Sequence, residues 1–107
     1  MVEKQNNFFI HCHLEGNDLS IDENIVLTAK QIADYRSKLK EIDPNYESIY
    51  YTDYGEEDLY IKAEDLIAEL DSAKEITEEE IKVLEKFIDI EYEFTRIDEF
   101  IDNAKTR

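Results

Sequence analysis

The sequence predicts an α+β domain: a small, mostly antiparallel sheet with one helix, followed by a compact acidic helical module. Three observations carry that reading. Apolar residues alternate with period two near the N-terminus, at Phe8, Ile10, Cys12 and Leu14. The pattern then turns helical at Ile32, Tyr35, Leu39 and Ile42. Beyond the lone proline, a run of β-formers gives way to amphipathic helical stretches. Strands followed by clustered helices, without βαβ alternation, are the signature of this class.

The elements follow in order. Residues 7–14 form a half-buried strand, with Phe9, His11 and His13 on the face opposite Cys12. Glu15-Gly-Asn-Asp reads as a turn, and Asn24-Ile-Val-Leu as a second short strand. Thr28 with Gln31 is a T-x-x-Q capping box that opens the first helix. Asp43-Pro44-Asn45 ends it, because proline has no N–H and restricts the residue before it. Glu47-Ser-Ile-Tyr-Tyr-Thr-Asp-Tyr54 and Asp58-Leu-Tyr-Ile-Lys62 read as two strands joined at Gly55. From Ala63 onward the chain reads as helical. Leu66, Ile67 and Leu70 mark one helix. Thr77-Glu-Glu-Glu80 caps another that runs through Ile81, Leu84, Phe87 and Ile88. Thr95-x-x-Asp98 starts the last, with Ile97, Phe100, Ile101 and Ala104 behind it. The expected order is β-β-α-β-β-α-α-α. Residues 1–62 form a sheet module and 63–107 an acidic helical module, within one continuous unit.

Charge narrows the function. The 107 residues hold 12 Lys+Arg and 28 Asp+Glu, a net of −16. Such a surface repels phosphate backbones and anionic lipid, so direct binding to nucleic acid or membrane is not expected. Disorder is excluded by 42% hydrophobic and 11% aromatic residues. One cysteine rules out an internal disulfide framework, and no signal peptide or spanning segment is read near the N-terminus, so the cytoplasm is the expected compartment.

Chemistry-bearing motifs are few. On a strand His11, His13 and Glu15 point one way and Cys12 the other. A metal site there needs carboxylates from elsewhere, so the segment reads as a solvated face over a buried thiol, with no metal and no cofactor. The same divergence removes a Cys–His catalytic pair. Glycines at 16 and 55 alone make no phosphate loop, and Asp53-x-Gly55-x-Glu57 does not complete a calcium-binding loop. No catalytic residue is assigned, and the chain is read as a non-enzyme.

The carboxylates are informative as a distribution. Residues 1–50 carry a net of −4 and residues 51–107 a net of −12. Asp65/Glu69, Asp71/Glu75, Glu85/Asp89 and Asp98/Asp102 each place two acids one turn apart if the backbone is helical. Each such pair then costs about 0.2–0.5 kcal/mol. A field kept at that expense suits a decoy for duplex DNA. At one charge per about 1.7 Å of duplex axis, sixteen charges span roughly 27 Å, and a homodimer doubles that span. Glu56, Glu57, Asp58, Glu64, Asp65, Glu69, Asp71, Glu78, Glu79, Glu85 and Asp89 are the expected phosphate mimics. Tyr50 and Tyr54, in a tyrosine-rich stretch interleaved with acids, are expected aromatic contacts for a protein partner. Two other classes stay open: an adaptor using the tyrosine-rich strand face, and a metal-dependent activity at His11 and His13.

Residues 46–104 resemble the antirestriction proteins called ArdA. The resemblance lies in Glu47-Ser-Ile-Tyr-Tyr-Thr-Asp-Tyr54, the acidic break into Leu59-Tyr-Ile61, and Ala63-Glu-Asp-Leu-Ile-Ala-Glu-Leu70. It continues in Ile76-Thr-Glu-Glu-Glu-Ile-Lys-Val-Leu84 and Tyr92-Glu-Phe-Thr-Arg-Ile-Asp-Glu-Phe-Ile-Asp-Asn103. It implies an elongated DNA mimic that occupies the DNA-binding groove of a type I restriction–modification complex. A relative redirected to another nucleic-acid enzyme implies a CRISPR effector as the alternative target.

Overall fold

The computed structural model describes residues 6–15, 20–51 and 58–105. The fold is α+β and, among the described residues, comprises a small antiparallel three-stranded sheet, a two-stranded ribbon and four helices. Strands β1 (Asn7–Glu15) and β2 (Ser20–Thr28) pair antiparallel over nine residues, with Ile10 opposite Ile25 and Cys12 opposite Glu23. β2 is therefore longer than the four residues its apolar core suggests. The polar stretch before Asn24 is held by pairing to β1, which propensity alone does not reveal.

Helix α1 (Ala29–Lys40) begins at the predicted box. Gln31 N–H donates to Thr28 Oγ1 at 3.2 Å and Thr28 N–H to Gln31 Oε1 at 2.8 Å. It stops at Glu41, and the chain turns through Asp43, whose side chain accepts from Asn45 N–H at 2.9 Å across Pro44. Strands β3 (Glu47–Tyr51) and β4 (Asp58–Lys62) form the ribbon. Helix α2 (Ala63–Asp71) follows directly, its first turn tied by the Asp65 carboxylate to Lys62 N–H at 3.0 Å.

The expectation of three helices and no strand after Ala63 is corrected in two places. Lys74–Ile76 is a strand, β5, which adds to the free edge of β1, so the sheet order is β2-β1-β5. Only Ile76 of this segment is buried, too little apolar periodicity to announce a strand. Helix α3 (Glu78–Leu84) keeps its predicted box, Glu80 N–H to Thr77 Oγ1 at 3.1 Å, but ends a turn early. Residues 85–88 turn back on the end of α3, and Glu91 then bridges β2 in parallel, where Val26 N–H donates to Glu91 O at 2.8 Å and Glu91 N–H to Asn24 O at 2.9 Å. Helix α4 (Thr95–Lys105) comes last. Its first carbonyl is that of Phe94, which accepts from Ile97 and Asp98, so Thr95 is the first helical residue rather than the cap.

Alternation across β1 and β2 separates two cores. Ile10, Cys12, Ile25 and Leu27 face a large cluster completed by Tyr35 and Leu39 of α1, Leu66 and Leu70 of α2, Phe94, and Ile97 and Phe100 of α4. Phe100 meets Tyr46 edge-on, with ring centroids 5.2 Å apart. Val26 and Ile76 face the other way and make a small cluster with Ile81, flanked by Phe9, Leu84 and Ile90. The Tyr35 hydroxyl locks the entry to α4, donating to Asp98 at 3.3 Å and accepting from Phe94 N–H at 3.5 Å. The radius of gyration is 15.0 Å and the extents are 48 × 32 × 19 Å. A compact domain of this length has a radius near 13 Å, so the body is a flattened, elongated slab. Among the described residues, no helix is long and apolar enough to cross a membrane.

Candidate functional site

The histidine segment stands as the strand geometry requires. Cys12 is fully buried between exposed His11 and His13. Burial, reinforced by Glu69 and Glu23, pushes its thiol up to about 12, which leaves it protonated and unreactive at neutral pH. His13 Nδ1 lies 2.6 Å from Asp22 Oδ1 across the strand pair, and His13 Nε2 is 3.6 Å from Glu15. The hydrogen bond and charge of Asp22 raise the His13 pKa. His11 Nδ1 is 2.9 Å from Asn24 Oδ1. These contacts satisfy the imidazoles within the sheet surface. Among the described residues, no group of three or more His, Cys, Asp and Glu is arranged to hold a metal ion.

The acidic residues divide by what they already do. Glu64, Glu78, Glu79 and Asp89 are exposed, with no ion pair among the described residues. Asp65 caps α2. Asp71 is paired with Arg36 of α1. Glu85 accepts the Tyr92 hydroxyl. Glu69 is half-buried, and that burial raises its carboxyl, with His11 and His13 pulling the other way. Glu56, Glu57 and Tyr54 lie outside the described residues. Asp58 and Tyr50 are placed by their backbones alone, in β4 and β3.

Two of the four like-charge pairs are corrected. Asp65/Glu69 and Asp98/Asp102 lie within helices. Glu75 sits in β5, and residues 85–89 lie past the end of α3, so Asp71/Glu75 and Glu85/Asp89 are not one helical turn apart. The repulsive burden is thus about half that expected, nearer 0.4–1 kcal/mol. Glu78, Glu79 and Glu80 also occupy the first turn of α3, where the helix dipole favours negative charge by about 0.3–1 kcal/mol each. Their clustering has a local structural benefit as well as a field.

A second carboxylate, unremarked in the sequence, is Glu23. Opposite Cys12 in the strand pair, it is largely buried beneath α4, 3.6 Å from Arg96 Nε, and burial raises its pKa despite that neighbour. It stitches α4 to the sheet. Two exposed apolar positions were also hidden. Ile49 and Tyr60 face each other across β3 and β4, 40% and 51% exposed, beside a Glu47–Lys62 ion pair of 3.9 Å. Phe87, read as a helical core position, is 78% exposed because α3 has already ended.

The chain matches no protein-family profile, no curated protein and no solved structure.

The long axis relates the charges to a ligand they could imitate. The described residues carry 13 of the 16 excess negative charges. Spread along 48 Å, that is one per about 3.7 Å. One strand of duplex carries one phosphate per about 3.4 Å. The slab therefore carries roughly the linear charge of a single DNA strand, on a body 19–32 Å across.

Proposed function

We propose that the chain is a non-enzymatic DNA mimic, encoded by a phage or mobile element and acting in the cytoplasm of a bacterial host. It fills the DNA-binding groove of a host-defence enzyme with carboxylates in place of phosphates. The single observation that carries this reading is the large net negative charge for the length of the body, which averages over the 48 Å axis to about the charge per length of one DNA strand. Glu64, Glu78, Glu79 and Asp89 are the phosphate mimics favoured by their exposure. The resemblance of residues 46–104 to ArdA proteins supports a type I restriction–modification complex as the target, with a CRISPR effector as the alternative.

The test is charge neutralisation. Glu78→Gln, Glu79→Gln and Asp89→Asn combined should weaken inhibition of type I endonuclease activity several-fold, and single changes should contribute roughly additively. Circular dichroism melting of the same variants separates lost charge from a loosened α3. Undiminished inhibition by the folded triple variant contradicts mimicry.

A second reading is favoured by the exposed Ile49–Tyr60 pair, which suits an adaptor that docks through the ribbon. Binding by that route would be insensitive to salt and lost with Tyr60→Ala.

A further inference from the structure

We propose that Val83 and Phe87 are the apolar anchor of the acidic surface, seating in an apolar socket within a basic protein groove. This rests on the inhibitor reading and names the part of the surface that holds the complex together. Five large hydrophobics are exposed among the described residues, and three of them, Val83, Phe87 and Tyr92, fall within ten positions. A single exposed apolar residue is ordinary, whereas several within one short segment suit an interaction surface.

The cluster is firmly presented. Phe87 N–H and Ile88 N–H both donate to Leu84 O at 2.9 Å, and Leu84 packs against the small core beneath α3. Tyr92 is turned toward the same segment by the bond from its hydroxyl to Glu85. A backbone already held in place spares the complex the cost of ordering that segment. A shallow depression bounded by Thr77, Glu79, Glu80, Val83 and Leu84 adjoins it.

Charge identifies the occupant. Residues 78–93 hold seven acids and two lysines, a net of −5. A second copy of this chain, nucleic acid and anionic lipid all meet like charge here. A basic protein surface meets complementary charge around a hydrophobic centre, the anatomy of a binding hot spot. The carboxylates then govern encounter rate and salt dependence, and Phe87 governs how long the complex lasts.

The experiment compares the full-length wild type, Phe87→Ala and the Glu78→Gln/Glu79→Gln/Asp89→Asn triple variant. Binding kinetics are measured on an immobilised type I methyltransferase complex and an immobilised CRISPR effector, at low and high salt. The expected result is about tenfold faster dissociation for Phe87→Ala with an unchanged salt slope, against slower association and a shallower slope for the triple variant. Dissociation of Phe87→Ala equal to wild type, with the triple variant impaired, overturns the anchor and leaves mimicry standing. Loss on Phe87→Ala with an unaffected triple variant overturns both the basic groove and the mimicry. Absence of wild-type binding to either complex overturns both as well.

Discussion

One face of the β2-β1-β5 sheet carries α1, α2 and α4 and buries sixteen side chains in a single cluster, among the described residues. The opposite face carries α3 and the 85–93 segment and buries three. The thick side contains the completely buried Phe94 and Phe100, and Tyr35 and Glu23 stitch its helices together. The thin side holds a seven-residue helix with three acids in its first turn, and it leaves Val83 and Phe87 in water. Packing is thus concentrated on one face, while exposed acids lie on both, Glu64 of α2 among them. A surface dense in like charge is tolerated where little packing depends on it, because the burial that opposes self-repulsion is done elsewhere.

That contrast can be broken by truncation. Phe100→Ala should lose about 3–5 kcal/mol in urea denaturation, since a fully buried ring leaves a cavity beside Tyr46. Ile81→Ala, in the small core, should lose nearer 2 kcal/mol, the low end for such changes. Equal losses would mean that the two faces fold as one packed unit.

A smaller effect sharpens the comparison. Thr77→Ala removes the hydroxyl that accepts from Glu80 N–H at 3.1 Å, and leaves the backbone N–H of residue 77 free to donate to the Glu80 carboxylate. The cost should be about 1 kcal/mol. Hydrogen exchange should quicken in α3 and leave α1 and α4 protected, as expected of a locally opening unit. Accelerated exchange throughout the protein would argue against a separable thin face.

The smallest effect is the pH response of His13. Its folded pKa is raised by Asp22, so its contribution is complete below the unfolded value near 6.5 and is lost as pH rises through the folded one. Because His13 is exposed, a slight fall in melting temperature across that window is all that is expected. In an NMR titration Asp22→Asn should return His13 toward the ordinary histidine value. An unmoved titration would remove Asp22 as the cause.

Much of the thick side was legible in the sequence. The alternation around Cys12, the Thr28/Gln31 box and the proline break each act through neighbouring residues, and local signals are what a sequence carries openly. The thin side was misread for the converse reason. β5 exists because β1 has an open edge, and the chain after α3 leaves the helical path to bring the Glu91 backbone onto β2. Phe87 and Ile88 continue a perfectly good helical stripe, so nothing local signals that Phe87 ends in solvent. The candidate carboxylates were legible as acidic residues, but their division of labour was not. Pairing of Asp71 with Arg36 depends on a neighbour distant in sequence and the bond to Glu85 on the turn that follows α3, whereas capping by Asp65 is local but follows Lys62 rather than a Ser or Thr that would announce a box.

Competition with DNA tests the central claim most directly. A fluorescent duplex bound to a type I methyltransferase complex is titrated with the wild-type protein at rising salt. Mimicry predicts stoichiometric displacement of the duplex, strong at low salt and weakening steeply as charge is screened. A ternary complex in which protein and duplex bind together, or binding indifferent to salt, would contradict it.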